Sequence, residues 1–335
     1  MNVKMNIVSR SVKPSLSAIL LSALWILAAA GVVGQFFIEW QGWDVVIGLS
    51  GIVFGVGLIW ALSRTKPAIN ALPCMDVFTA KRPGFWVRTL LLFLGLALIF
   101  LLGMMISIGF VMMVVCGVIG LGVTLTWRKS LTWKIGGMGV AAGLISALGS
   151  ALLRNSELLW SVAYLVLIPP AFMGGALLLY RAQLGHVRLL EGKLALGLKG
   201  FLIGCVLAVP ATLFNQIGNM YSQDSWVTHW WQSLCAIVPA VAEETWARLF
   251  LVSFCYAILR PVTDLHSPRA TVVAILISIL AFSTSHAGLN PFVIIIDGLL
   301  FSTPYALLLI NKDFEHAVGY HFMVDFVRFC AVYLS

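Results

Sequence analysis

The chain has 335 residues, 61% of them apolar and only 10% charged, with a mean hydropathy of +1.00 and a net charge of +8. Soluble domains carry about 25% charged residues, so the composition excludes a soluble globular protein and predicts an all-α, polytopic membrane bundle. The basic excess follows the segments between apolar runs, which is the pattern of membrane topology and not the footprint of a nucleic-acid binder.

A helix needs about 20 apolar residues to cross about 30 Å of hydrocarbon. Eleven runs meet that length, near 16–38, 44–63, 86–106, 108–127, 136–153, 158–180, 199–217, 233–259, 270–288, 291–310 and 314–334. Only Ile106-Ser107-Ile108-Gly109 separates the third from the fourth, so nine or ten spans is the alternative count. The first run follows Lys4, Arg10 and Lys13 and continues through Val32, Val33, Phe36 and Phe37. That is too long for a cleaved signal peptide ending at Ala28-Ala29-Ala30, and it predicts a signal anchor. With the N-terminus in the cytoplasm, all but three of the 21 Lys and Arg residues fall on the inner side. Arg154 lies across the membrane, and Arg248 and Arg328 lie within spans. This is the positive-inside bias, and the chain is expected to be an integral protein of the inner or plasma membrane of a bacterium, with its N-terminus cytoplasmic. Most tryptophans, among them Trp86, Trp127, Trp133, Trp160, Trp226 and Trp230, fall at span ends as interfacial anchors do. The six cysteines show no CxxC spacing and read as small apolar residues.

The fifth run carries Gly139 and Gly143, a small-xxx-small pair suited to close helix contact. Pro169-Pro170, Pro210 and Pro304 predict kinks. The polar stretch 181–198 reads as a basic interfacial helix or an ordinary connecting helix. Residues 1–198 form an N-terminal set of helices for packing and for substrate or partner contacts, and residues 199–335 form the core that carries the chemistry.

Ionisable residues inside spans are costly, by at least a few kcal/mol each. Here they are Glu243, Glu244, Arg248, His286, Asp297, His321, Asp325 and Arg328, all in the last third of the chain. On an α-helix, residues four apart share a face. Glu244 therefore pairs with Arg248, while Glu243 points about 100° away and is left for other work. Phe282 walls one side of His286, and Asp325 lies where it can accept from one ring nitrogen of His321 and fix the role of the other. Pro239 frees the carbonyl of Cys235 and bends the helix that carries the glutamates. Each feature alone has a bland reading: a structural ion pair, an interfacial histidine, a proton relay. Together they place acid, acid and base, then His, then His and acid on three helices. One tension remains, because a rise of 1.5 Å per residue puts Glu243 about 15 Å, His286 about 8 Å and His321 about 18 Å from the outer face.

In these residues the chain resembles a known family. "EETWAR" is similar to E-E-x-x-x-R, "FSTSH" to F-x-x-x-H, and "HFMVD" to H-x-x-x-(Asn or Asp). In this order they resemble the signature of the CPBP intramembrane proteases, which include the type II CAAX prenyl endopeptidases and the Abi, or bacteriocin self-immunity, proteins. The resemblance covers roughly residues 200–335. It implies a helical bundle around a polar cavity, hydrolysis of a peptide bond of a membrane-associated protein or peptide, and catalytic positions at Glu243, Glu244, Arg248, His286, His321 and Asp325. Glu243, not committed to Arg248, is the expected general base. His286 is expected to orient the water, and His321, held by Asp325, to donate to the oxyanion. Two other classes stay open: a catalytically silent immunity or binding protein on the same scaffold, and a proton-coupled transporter that recruits Asp297 and Arg328. No cofactor is expected. The two histidines and the carboxylates are ligand types that zinc accepts, but the H-E-x-x-H spacing is absent, and a metal-free mechanism is the preferred expectation.

Overall fold

The computed structural model describes residues 83–105, 107–154, 158–217, 226–263, 267–287 and 291–334. The two runs expected at 16–38 and 44–63, with Trp25, Trp40, Trp43, Trp60 and Cys74, lie outside the described residues. Among the described residues the chain is helical, with no strand. Eight helices among the described residues are long and apolar enough to cross a membrane.

Helix α1 (Pro83–Gly103) is the most peripheral. Val87, Leu90, Leu91, Leu94, Leu98 and Leu101 stay exposed on it, as suits a helix facing lipid. The weak boundary after it is a real break. Ser107 adopts an extended backbone, and its hydroxyl accepts from the Phe110 N–H to open α2 (Ile108–Thr126). Thr132 caps α3 (Trp133–Leu152) in the same way. Helix α4 (Leu158–Ala182) is the hub, with Ile168, Ala171, Phe172, Ala176 and Leu179 almost wholly buried. The expected glycine contact forms on it. A Cβ at Gly143 would sit 2.7 Å from the Pro169 ring, and one at Gly174 would sit 2.7 Å from the Cα of Gly120 on α2. In lipid, helix association rests on such close van der Waals approach.

The stretch 181–198 is neither of the helices expected for it. Gln183 takes a left-handed conformation (φ 54°), and the N–H groups of Leu184 and Gln183 return to the carbonyls of Leu179 and Tyr180. This is a Schellman stop. Turns then run to Lys193 before α5 (Leu194–Ile217) begins. Side chains from elsewhere hold the loop open. Glu315 accepts the backbone N–H groups of Arg188 (3.1 Å) and Leu189 (2.8 Å), and Arg188 reaches Asp313 at 3.3 Å. Glu191 gathers His186, Arg188 and Lys193 at 2.7–3.2 Å. Burial alone would raise the Glu191 pKa, but the hydrogen bonds from Lys193 and His186 outweigh it and hold it down to about 2.

A 3₁₀ turn (Trp230–Ala236) leads into one continuous rod: α6 (Ile237–Glu243), a π-helical stretch (Glu244–Val252) and α7 (Ser253–Leu259). This rod occupies the expected run 233–259. Pro239 stands in its first turn and the backbone passes through it as helix. The N–H of Ile237 bonds the carbonyl of Cys235 that Pro239 cannot serve. The interruption comes later, as the π-helix. Beyond it lie α8 (Pro268–Ala287), then α9 (Pro291–Asp297), a second π-helical stretch (Gly298–Ser302) and α10 (Thr303–Asn311), and last α11 (Phe314–Leu334). Helices α5 and α11 make the most extensive pairing in the bundle, with Gly204 and Gly319 each set against the other helix's backbone.

The two ends of the bundle differ. At one, Arg181 lies 4.5 Å over the Trp127 ring, Arg260 donates to the Arg181 carbonyl, and Arg88 donates to the Ile258 carbonyl. Arginines at helix C-termini satisfy orphan carbonyls and favour the helix dipole. The other end holds a cavity.

Candidate functional site

The site starts with an irregular backbone. In a π-helix the hydrogen bonds run i→i+5 instead of i→i+4, so each such turn holds one residue more. Glu243 is the last α-helical residue of its segment and Glu244 the first π-helical one. Gly175 of α4 lets the two backbones meet, since a Cβ there would lie 2.9 Å from the Leu249 carbonyl. On another side Ser278 of α8 donates to the Ala247 carbonyl at 2.7 Å.

Glu244 and Arg248 point into protein and are wholly buried. They form the expected ion pair, with Arg248 Nε 3.7 Å from Glu244 Oε2. That is an ionic contact longer than a hydrogen bond. The hydrogen bond of Arg248 goes elsewhere, from Nη2 to Ser302 Oγ at 2.9 Å, and so joins the two π-helical stretches. Its guanidinium lies 3.8 Å from the Phe282 ring centroid and 4.8 Å from that of Tyr305. Two aromatic faces thus replace much of the hydration that a buried cation loses.

The remaining residues converge. His321 Nδ1 donates to Glu244 Oε1 at 2.9 Å, and its ring stacks on Tyr305 with centroids 4.6 Å apart. Its Nε2 faces Glu243 Oε2 at 3.7 Å and Asp325 Oδ2 at 3.5 Å. His286 Nε2 approaches Glu243 Oε2 at 3.5 Å, while its Nδ1 lies 3.0 Å from the Phe282 carbonyl, a partner that only accepts. Phe282 walls His286 as expected, with ring centroids 4.4 Å apart. Asp325 also meets Arg328 at 3.8 Å. All six motif residues therefore belong to one cluster, in spite of the unequal depths estimated from the sequence.

The shorter carboxylate contact to the His321 ring comes from Glu244, on another helix, at 2.9 Å, while Asp325 pairs with the other nitrogen at 3.5 Å. Spacing could not reveal this, because i,i+4 neighbours were the only contacts it could count.

A cavity of about 410 Å³ is lined by Ser107, Gly109, Phe110, Met113, Ser150, Arg154, Trp160, Tyr164, Glu243, Trp246, Ser285 and His286. Of the six motif residues only Glu243 and His286 reach its wall. Their side chains are 22% and 45% exposed, against 4% for His321 and none for Glu244. Much of the remaining lining comes from α2, α3 and α4, which the sequence reading had assigned to packing and to substrate or partner contacts. Trp160, read as an interfacial anchor, and Trp246 both line the cavity.

Glu243, His286, His321 and Asp325 supply the ligand types a metal would use, but among the described residues no three His, Cys, Asp or Glu side chains are arranged to hold one. The five described cysteines, Cys116, Cys205, Cys235, Cys255 and Cys330, are unbridged. No family model, curated protein or solved structure matches the chain.

Proposed function

We propose that this chain is an intramembrane endopeptidase that hydrolyses a peptide bond of a membrane-associated protein, with Glu243 as the general base. One observation carries the reading. Two adjacent glutamates have opposite surroundings, and the one on the cavity wall is the one not held by the buried arginine.

In this mechanism a water on the wall is held by the Glu243 carboxylate beside His286. Glu243 takes its proton as the oxygen bonds to the scissile carbonyl carbon. Charge then develops on the carbonyl oxygen. The Tyr164 hydroxyl, on the same cavity lining as Glu243, donates to that oxygen. Glu243 returns the proton to the leaving nitrogen as the C–N bond breaks. His321 is a positioning residue here. It sits behind Glu243, its ring fixed by Glu244 and Tyr305, and Arg248 in turn steadies Glu244. The positive-inside bias turns the cavity away from the cytoplasm, because its lining comes from the ends of α2, α3, α4 and α8 opposite the arginine-capped ends.

The test is a comparison of membrane proteomes between cells carrying the full chain and cells carrying Glu243→Gln. An uncleaved membrane protein should accumulate in the variant, and normal processing there sinks the proposal. Chelator treatment and metal analysis of the purified protein address the metal-free mechanism. Stoichiometric zinc that restores activity after its removal would replace the free carboxylate with a metal-activated water.

A further inference from the structure

The cavity wall carries one Arg or Lys among the described residues, Arg154. It follows α3 directly, where the helix dipole favours a cation. That explains a basic residue at this end but not its surroundings. The Arg154 guanidinium lies 5.5 Å over the Trp226 ring, and Trp226 packs edge-on against Phe329 of α11 with centroids 5.1 Å apart. The cation is thus braced against the helix that carries His321 and Asp325. Among the described residues, the carboxylates of the cluster pair elsewhere, Glu243 with His286 and His321, and Asp325 with His321 and Arg328. Tyr164, Arg154 and Glu243 line the same cavity.

We propose that Arg154 forms a subsite for a carboxylate that the substrate carries within a few residues of the bond to be cut, an inference that rests on reading the cavity as a protease site. The wall is a dipole: Glu243 repels an anionic group and Arg154 attracts it. A peptide entering the cavity is therefore oriented, with its carboxylate at Arg154 and its scissile carbonyl at Glu243. A cavity of about 410 Å³ lies in the usual range for ligand sites. The carboxylate is either a free C-terminus or an Asp or Glu side chain.

The experiment uses the full-length Glu243→Gln protein in phosphatidylcholine nanodiscs. Two libraries of short hydrophobic peptides serve as probes, one with free C-terminal carboxylates and one with C-terminal amides, and retained peptides are read by mass spectrometry. Peptides bearing a carboxylate should be enriched. Enrichment that vanishes on amidation makes the C-terminus the group bound, and enrichment of Asp and Glu that survives makes it a side chain. Adding Arg154→Gln should weaken the carboxylate peptides about tenfold, as expected for a charged hydrogen bond, and leave neutral peptides unchanged. Arg154→Lys should restore part of the preference. Equal retention of charged and neutral peptides overturns the subsite, as does a loss in Arg154→Gln that affects both alike. Enrichment abolished by phosphatidylglycerol assigns Arg154 to lipid headgroups and also overturns it. Cleavage of the same libraries by the unsubstituted protein separates the two readings. Enrichment without cleavage keeps the subsite and removes the protease, and cleavage without enrichment does the reverse.

Discussion

Glu243 and Glu244 are neighbours in sequence and opposites in setting. Glu244 is enclosed, with an arginine at 3.7 Å and a histidine N–H at 2.9 Å. Glu243 looks into a cavity, with two imidazole nitrogens at 3.5 and 3.7 Å and no hydrogen bond to its Oε2 atom. One carboxylate organises the site, and the other stands on the cavity wall between two histidines. A membrane protein bears the cost of burying charge where the buried charge holds the working one in place.

The contrast can be broken most directly by substituting each acid. Glu243→Gln keeps shape and removes basicity, so cleavage should fall about 100- to 10,000-fold with yield and thermal stability unchanged. Near-normal turnover in Glu243→Gln together with loss in Glu244→Gln would exchange the two roles. Arg248→Ala strikes the other side. It leaves Glu244 buried beside an empty place, and breaking a buried pair costs about 3–5 kcal/mol. The yield of folded protein should drop along with activity, and a fully stable variant would show that the pair is not structural. Tyr164→Phe deletes one hydroxyl from the wall and should lower the turnover number about 100-fold with little change in KM. An effect on KM alone would move Tyr164 from the oxyanion to substrate binding. Ser302→Ala removes the one hydrogen bond that Arg248 makes among the described residues and should cost about 1.5–3 kcal/mol, read as a lower melting temperature. The mildest change is Asp325→Asn. The amide still faces His321 Nε2 and fills the same space, so activity should drop only a few-fold. A collapse there would give the ring-fixing role to Asp325.

Much of this site was legible because charge in hydrocarbon is rare. Eight ionisable residues stood out in the apolar runs, and the spacing of Phe282 and His286 and of Glu244 and Arg248 predicted contacts that form. Helical arithmetic reaches one turn along a single helix, and it failed where partners come from different helices. It tied His321 to Asp325 because the two are four residues apart, and it had no means to offer Glu244. Ser302 and Tyr305 gave no signal, since a serine and a tyrosine in an apolar run are ordinary. Tyr164 and Trp246 were hidden for the same reason, and Arg154 was noticed only as a lone cation outside. Depth counted along straight rods kept Glu243, His286 and His321 apart, whereas packing brings them together. For the fold, apolar length placed the described helices well. It gave no warning of the stop at Gln183, which depends on a left-handed residue and on carboxylates such as Glu315, far along the chain.

The π-helical stretch Glu244–Val252 also has an implication for descent. A turn with one residue too many is what a single-codon insertion into an ordinary α-helix leaves behind. Deleting one residue between Leu249 and Val252 would undo it and restore regular pairing. The same deletion would rotate the glutamates by about 100° relative to α7. Such a variant should be sound as a helix and useless as a site. Insertions and deletions in this segment should therefore be far less tolerated than substitutions of its apolar residues, and a deletion scan across the rod would reveal the irregularity as a sharp, localised loss of activity.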